Sequence, residues 1–208
     1  ISDECGLMFP IIPANSAAVS GNQEGIFGFG LAASNTAVTN LVTNAGVVGT
    51  DVAGVGTIKS ELAACEFGGD KGIFGYGNNA GSVSTTNLVS NAGVVATDVT
   101  GVGTARDSPS ACSFGGDKGI FGFGRAGGSE QNMTNLVSNV GVVATDTAGV
   151  GTARRMAAAC EYGGDKDKGI FGFGDTGGPV SMTNLVSNAG VVATDVTGVG
   201  SARYGPEA

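Results

Sequence analysis

Histidine and tryptophan are absent from the 208 residues, cysteine and proline number only 4 and 5, and 13% of the chain is charged. Each shortage excludes something. Without histidine, a serine or cysteine nucleophile has no imidazole to take its proton, and the absence of any C-x-x-C pair removes the usual zinc ligands as well. The expectation is a protein that is not an enzyme and holds no metal or cofactor. Scarce proline and the lack of a G-X-Y period exclude collagen and proline-rich linkers. No apolar run approaches the roughly 20 residues that cross a bilayer as a helix; the most apolar N-terminal stretch, GLMFPII, is broken at Pro10. With 18 acidic against 10 basic residues, the net charge of −8 repels phosphate backbones and anionic lipid, so nucleic acid and membrane are not expected as partners.

The sequence does have 39 glycines and 41% apolar residues. They are arranged in a repeat. Four copies read G-I-F-G-[FY]-G, then T-N-L-V-[ST]-N, then G-V-V-x-T-D, then G-V-G-[TS], with leading isoleucines at Ile26, Ile73, Ile120 and Ile170 and matching asparagines at Asn40, Asn87, Asn135 and Asn184. The spacing is about 47 residues, with insertions at Asp167-Lys168 and around Ser129 to Asn132 that mark loops. Valine, threonine, isoleucine and phenylalanine fill the blocks, no helical stripe is present, and the second copy predicts strands at Leu62 to Gly68, Gly72 to Gly77, Thr85 to Ser90 and Gly93 to Val99.

A four-stranded unit of this length, repeated four times, predicts an all-β fold, a small β-propeller of four antiparallel blades. The blades run over about 16–52, 62–99, 109–147 and 157–196, with an N-terminal extension at 1–15 and a C-terminal tail at 197–208. The extension is expected to supply a closing strand or a strand donated to a neighbour's sheet edge.

The stretch T-A-R-R-M-A-A-A-C-E-Y-G-G-D-K-D-K-G-I-F-G-F-G at residues 152 to 174 resembles the Kelch repeat, with an Arg-containing loop, an apolar strand, a diglycine turn and a second strand; the likeness recurs at 104 to 124. The chain lacks tryptophan and the usual Kelch positions after the second strand, so it looks like a divergent Kelch-like unit. Over roughly residues 16 to 205, DKGIFGFG followed by MTNLVSN and GVVATD is also similar to structural repeat proteins of tailed phages and marine microbes, which implies an assembly role.

The most regular charge pattern sets an acid eight residues before a base: Asp51 and Lys59, Asp98 and Arg106, Asp146 and Arg154, Asp195 and Arg203. The pairs read either as a ring of ligand contacts or as salt bridges fixing the loop between one blade and the next, and their sameness in every copy favours the salt bridge. Asp70, Asp117 and Asp165 follow the diglycine, with Gln23 in the first copy. One carboxylate beside a lysine in each loop is a solvated turn, not a calcium site. Cys65, Cys112 and Cys160 are equivalent, Ala18 replaces them in the first copy, and Cys5 lies outside the repeat; disulfides among the four and small buried thiols are both open. The single N-x-T sequon at Asn132 carries little weight.

Three functions follow from this reading. The first is a structural or interaction subunit of a virion or an extracellular assembly, such as a fibre or appendage, whose partners are copies of itself or other subunits. The chain's start at Ile1 instead of methionine fits a removed leader or pro-segment. The second is a lectin-like propeller holding a glycan at each repeat; the loops after IFGFG (LAASNTA, NNAGSVS, RAGGSEQN, DTGGPVS) vary most and would carry the contacts. The third and weakest is a glycan hydrolase using paired carboxylates.

Overall fold

The computed structural model describes residues 24–164 and 167–206. Every regular element among them is a strand. The first repeat contributes β1 (Gly25–Leu31) and β2 (Asn35–Val42), and the second contributes β3 (Ala63–Phe67), β4 (Lys71–Gly75) and β5 (Thr86–Val89). The third has β6 (Ser110–Phe114), β7 (Lys118–Gly122), a small hairpin of β8 (Arg125–Ala126) and β9 (Ser129–Glu130), and β10 (Thr134–Val137). The fourth has β11 (Ala158–Tyr162), β12 (Lys168–Asp175) and β13 (Pro179–Val186).

The same antiparallel meander is built each time. Ile26, Ile73, Ile120 and Ile170 face Leu41, Leu88, Leu136 and Leu185, and the last three isoleucines also face Cys65, Cys112 and Cys160. A fourth strand is reduced to two bridges per repeat, as at Val89 to Val95 and Thr86 to Val99. The first three predicted strands of the second copy are therefore found within a residue or two, while the fourth, Gly93 to Val99, survives only as these bridges.

Two local features shape the unit. The turn between β3 and β4 runs through Gly68 and Gly69 with φ of 63° and 74°, a left-handed pair that suits a tight hairpin and that glycine adopts without strain. One strand later, Phe29, Tyr76, Phe123 and Phe173 all take φ of 62° or 63°, which costs a non-glycine residue about 1 kcal/mol or more. In β1 and β12 the pairing register slips at this position, a bulge that turns the ring away from its own sheet.

Those rings face the next repeat. Phe29 meets Phe74, Tyr76 meets Phe121 and Phe123 meets Phe171, each edge to face with centroids 5.2 Å apart. The second ring of each pair lies on a glycine of the preceding repeat, Gly28, Gly75 or Gly122, where no side chain stands in the way. The core is accordingly divided among the seams: Phe67, Ile73, Tyr76, Phe121 and Val137 fill one, and Cys112, Phe114, Ile120, Phe123, Phe171 and Val186 fill the next. A backbone ladder runs along the series, Ser108 N–H donating to Glu61 O at 2.8 Å, Met156 N–H to Ser108 O at 3.2 Å, and Gly205 N–H to Met156 O at 2.9 Å.

The all-β expectation holds, whereas the closed four-bladed ring is not seen: the sheets are small, and among the described residues none is closed or propeller-like. Closure would need the first repeat to lie on the fourth. Phe27 instead remains 63% exposed while its equivalents Phe74, Phe121 and Phe171 are 5%, 0% and 0% exposed. Among the described residues the repeats form a series in which each packs on its neighbours, as in repeat proteins generally. The expected closing strand at 1–15, and residues 16–23 of the first blade, lie outside the described residues.

Two sequence assignments shift. Asp167 O accepts from Gly115 N–H as Asp117 O accepts from Gly68 N–H, so Asp167 is the counterpart of Asp117 and the insertion falls at residues 165–166, not at Asp167-Lys168. Residues assigned to the C-terminal tail also join the last repeat, where Arg203 N–H donates to Val180 O and Arg203 O accepts from Gly174 N–H.

The seams set a prediction. A Cβ added at Gly122 falls 2.8 Å from Phe171 Cζ, while at Gly172, the same position in the last repeat, the nearest described atom is Thr183 Cγ2 at 3.3 Å. Gly122→Ala is expected to destabilise the fold by about 1–3 kcal/mol and Gly172→Ala by clearly less. Urea unfolding of the two variants would check this; equal losses would disprove the assigned seam.

Candidate functional site

The ionisable side chains of the repeat converge on the seams. At the second seam Arg106, fully buried, lies with its guanidinium carbon 4.0 Å from the Tyr76 ring centroid. Its Nη2 donates to Asn135 Oδ1 at 2.7 Å and its Nη1 to Thr104 O at 3.3 Å. Asn135 Nδ2 donates onward to Asp146 Oδ1 at 2.9 Å and Ala144 O at 3.0 Å. Asp146 Oδ2 closes the circuit by accepting from Thr104 N–H at 2.9 Å and Thr104 Oγ1 at 2.7 Å. The third seam repeats this with Arg154 over Phe123 at 3.9 Å, Nη2 to Asn184 Oδ1 at 2.7 Å, and Asp195 held by Thr152.

The first seam uses lysine. Lys59 Nζ lies 5.0 Å from the Phe29 centroid and donates to Asn87 Oδ1 at 2.9 Å and Thr85 O at 3.1 Å, while Asp98 accepts from Asn87 and Thr57. In every seam the cation and threonine come from the loop that ends one repeat, and the asparagine and aspartate come from the next. The glycine before each threonine, Gly56, Gly103 or Gly151, lies directly against that carboxylate and asparagine, where a side chain would collide.

The charge pairs read from the sequence are therefore re-partnered. Arg106 lies 3.9 Å from Asp146 and Arg154 lies 3.9 Å from Asp195, each one repeat beyond the aspartate that precedes it by eight residues. Asp98 serves Lys59 in the same way. The two remaining members are at opposite ends: Asp51 accepts from Asn40 at 2.8 Å, and Arg203 lies 3.7 Å over Phe173 and donates to Ser201 O at 3.2 Å. Sequence reasoning missed the asparagine and the aromatic as members of the site. Both were legible as invariant positions of the repeat, but their convergence across a repeat boundary was not.

Burial dominates the electrostatics. It pushes Lys59 down to about 8, with Asp98 opposing, and Arg154 down to about 10, with Asp195 opposing. Arg106 is lowered for the same reason. Burial also works against ionisation of Asp98, Asp146 and Asp195, yet hydrogen bonds from threonine and asparagine together with the nearby cation hold all three below the ordinary carboxylate range. The Nε atoms of Arg106 and Arg154 have no hydrogen-bond partner, so these cations are held by their rings and by Nη alone.

The other candidates form no site of their own. Asp70 bonds Lys71 and Asn91, and Asp117 bonds Lys118 and Asn139, which ties the hairpin turn to the turn after the third strand. Gln23 and Asp165 lie outside the described residues. Among the described residues no three acidic, cysteine or histidine side chains converge in metal-binding fashion. Cys65, Cys112 and Cys160 are free thiols, with no bridge among the three. Cys65 and Cys112 Sγ lie against Gly119 and Gly169 of the next repeat. Burial pushes the Cys65 thiol well up and Cys112 up to about 12, so neither is a nucleophile. Cys5 lies outside the described residues.

No protein-family model matches the chain, and comparison with the curated proteins finds no match either.

Two outcomes follow. Asn135→Ala leaves Arg106 and Asp146 short of partners in a buried seam and is expected to cost about 3 kcal/mol in urea unfolding, whereas Asn40→Ala, the same change at the outer end, should cost under about 1 kcal/mol. Between about pH 8 and 10.5 the unfolded chain keeps the Lys59 proton that the folded chain has released, so this group makes stability rise with pH across that window. Lys59→Arg should abolish that rise; an NMR titration in which Lys59 follows the exposed lysines would refute it.

Proposed function

We propose that the protein is a non-enzymatic structural subunit, a rigid repeat scaffold in an extracellular or virion-associated assembly such as a fibre or appendage. The observation that carries this reading is that the cations, asparagines and carboxylates of the three internal seams are engaged with one another across repeat boundaries. A catalyst keeps a perturbed group accessible to substrate. Here Lys59, Arg106 and Arg154 are fully buried against rings.

The variable edge supports the same reading. Arg125 pairs with Asp107 at 3.3 Å, Ser82 Oγ donates to Asp107 at 2.8 Å, and Arg155 pairs with Asp175 at 3.0 Å and with Glu130 at 3.9 Å. Charges in the loops that differ most are thus engaged with neighbouring loops, stiffening the edge. The Kelch-like likeness and the expectation of a blade-like meander fit a scaffold in which face-to-face packing, not a pocket, is the working feature.

Imaging the native material is expected to show particles or filaments larger than one chain. A protein found only as free monomers, and retaining glycans on an array through its four variable loops, would instead establish the lectin-like alternative.

A further inference from the structure

The two ends of the repeat series are the two halves of one seam. At the C-terminal end Gly172 has no aromatic lying on it, although Gly28, Gly75 and Gly122 each carry one. At the N-terminal end Phe27 is the one ring of its series left exposed. Each internal seam also seats a leucine on a glycine of the following repeat: Leu41 on Gly93, Leu88 on Gly141, Leu136 on Gly190. Leu185 has no such glycine and is 39% exposed, while Gly46, the glycine of the first repeat, has no described atom within 4 Å of an added Cβ. Tyr162 is likewise 37% exposed where Phe67 and Phe114, seated on Gly141 and Gly190, are 2% and 1% exposed.

The polar halves match too. Asn40 and Asp51 hold each other, with no cation or hydroxyl from a preceding repeat among the described residues. Ser201 keeps the hydroxyl of the threonine position, and Arg203 is already parked over Phe173 at 3.7 Å, as Arg154 is over Phe123 at 3.9 Å. Gly200 has φ of 91° but, unlike Gly56, Gly103 and Gly151, no carboxylate against it. Ring, slot, leucine, cation and carboxylate are all present, divided between opposite faces of one molecule.

We propose that the chain associates head to tail with a second copy of itself, the first repeat of one copy seating on the fourth repeat of the other through the same seam that joins its internal repeats. In that junction Phe27 lies on Gly172, Leu185 on Gly46, and Arg203 donates to Asn40 beside Asp51. The contact is heterologous, so it produces a ring where the rotation closes and a filament where it does not. This deepens the structural reading above by naming the partner and the surface.

The test uses the full-length chain and two variants in sedimentation velocity over a range of concentrations. Wild-type protein is expected to form species larger than a monomer. Phe27→Asp spoils only the N-terminal face and Arg203→Glu only the C-terminal face, and each should weaken association about thirtyfold or more. Mixing the two variants restores one intact junction and should give a dimer and nothing larger, a result that also shows both variants fold. Oxidation of Asp51→Cys/Ser201→Cys double-variant protein should link copies, since the equivalent Thr104 Oγ1 and Asp146 Oδ2 are 2.7 Å apart. A wild type that assembles to a size unaffected by either substitution overturns this junction and leaves the assembly reading standing. A wild type that stays monomeric at every concentration overturns both.

Discussion

A buried cation at each repeat boundary is the constraint on which the fold depends. A guanidinium or ammonium removed from water is tolerated only where partners replace its hydration, and here those partners come from two repeats at once. The aromatic under the cation belongs to one repeat, and the asparagine and aspartate beside it to the next. Tyr76 lies under the guanidinium of Arg106 while Asn135 accepts from its Nη2. Neither repeat can satisfy the charge alone, so a polar network acts as a register device between units whose apolar faces are nearly identical.

This explains the repeated backbone strain. An aromatic residue at positive φ is unfavourable, yet four occur at the same position of the unit. The left-handed turn rotates the ring out of its own sheet to a place where one side meets a cation and its edge meets the ring of the next repeat. The glycine just before that aromatic in each unit lets the approach happen. Strain of about 1 kcal/mol or more is offset by a desolvated cation–π contact of roughly 2 kcal/mol and an aromatic pair of about 1 kcal/mol.

Seams of this kind also set the electrostatics of the groups they enclose. Thiols that seat on glycines are raised by burial, and carboxylates that accept from threonine and asparagine are lowered, so the groups that elsewhere serve as nucleophiles or acids are fixed in one protonation state near neutral pH. At the ends the same parts are left half-matched, with Phe27 and Leu185 exposed, and it is on these that the proposed assembly rests.

The sequence by itself determined the unit. Strand-forming residues, diglycine turns and a period of about 47 residues determined where the strands begin, and three of the four strands expected in the second repeat lie within a residue or two of expectation, because strand pattern and turn chemistry are local properties. It also marked the Asp–Lys and Asp–Arg spacing as structural. Tertiary structure decided everything that crosses a repeat boundary: that Arg106 belongs with Asp146 and not with Asp98, that Cys65 faces Gly119, and that Phe27 is left uncovered with the series open. Identical repeats offer each side chain the same partner in several copies. Which copy it meets, and whether the last unit returns to the first, depends on the angle between neighbouring sheets, a quantity set by packing across the seam and by nothing in the local pattern.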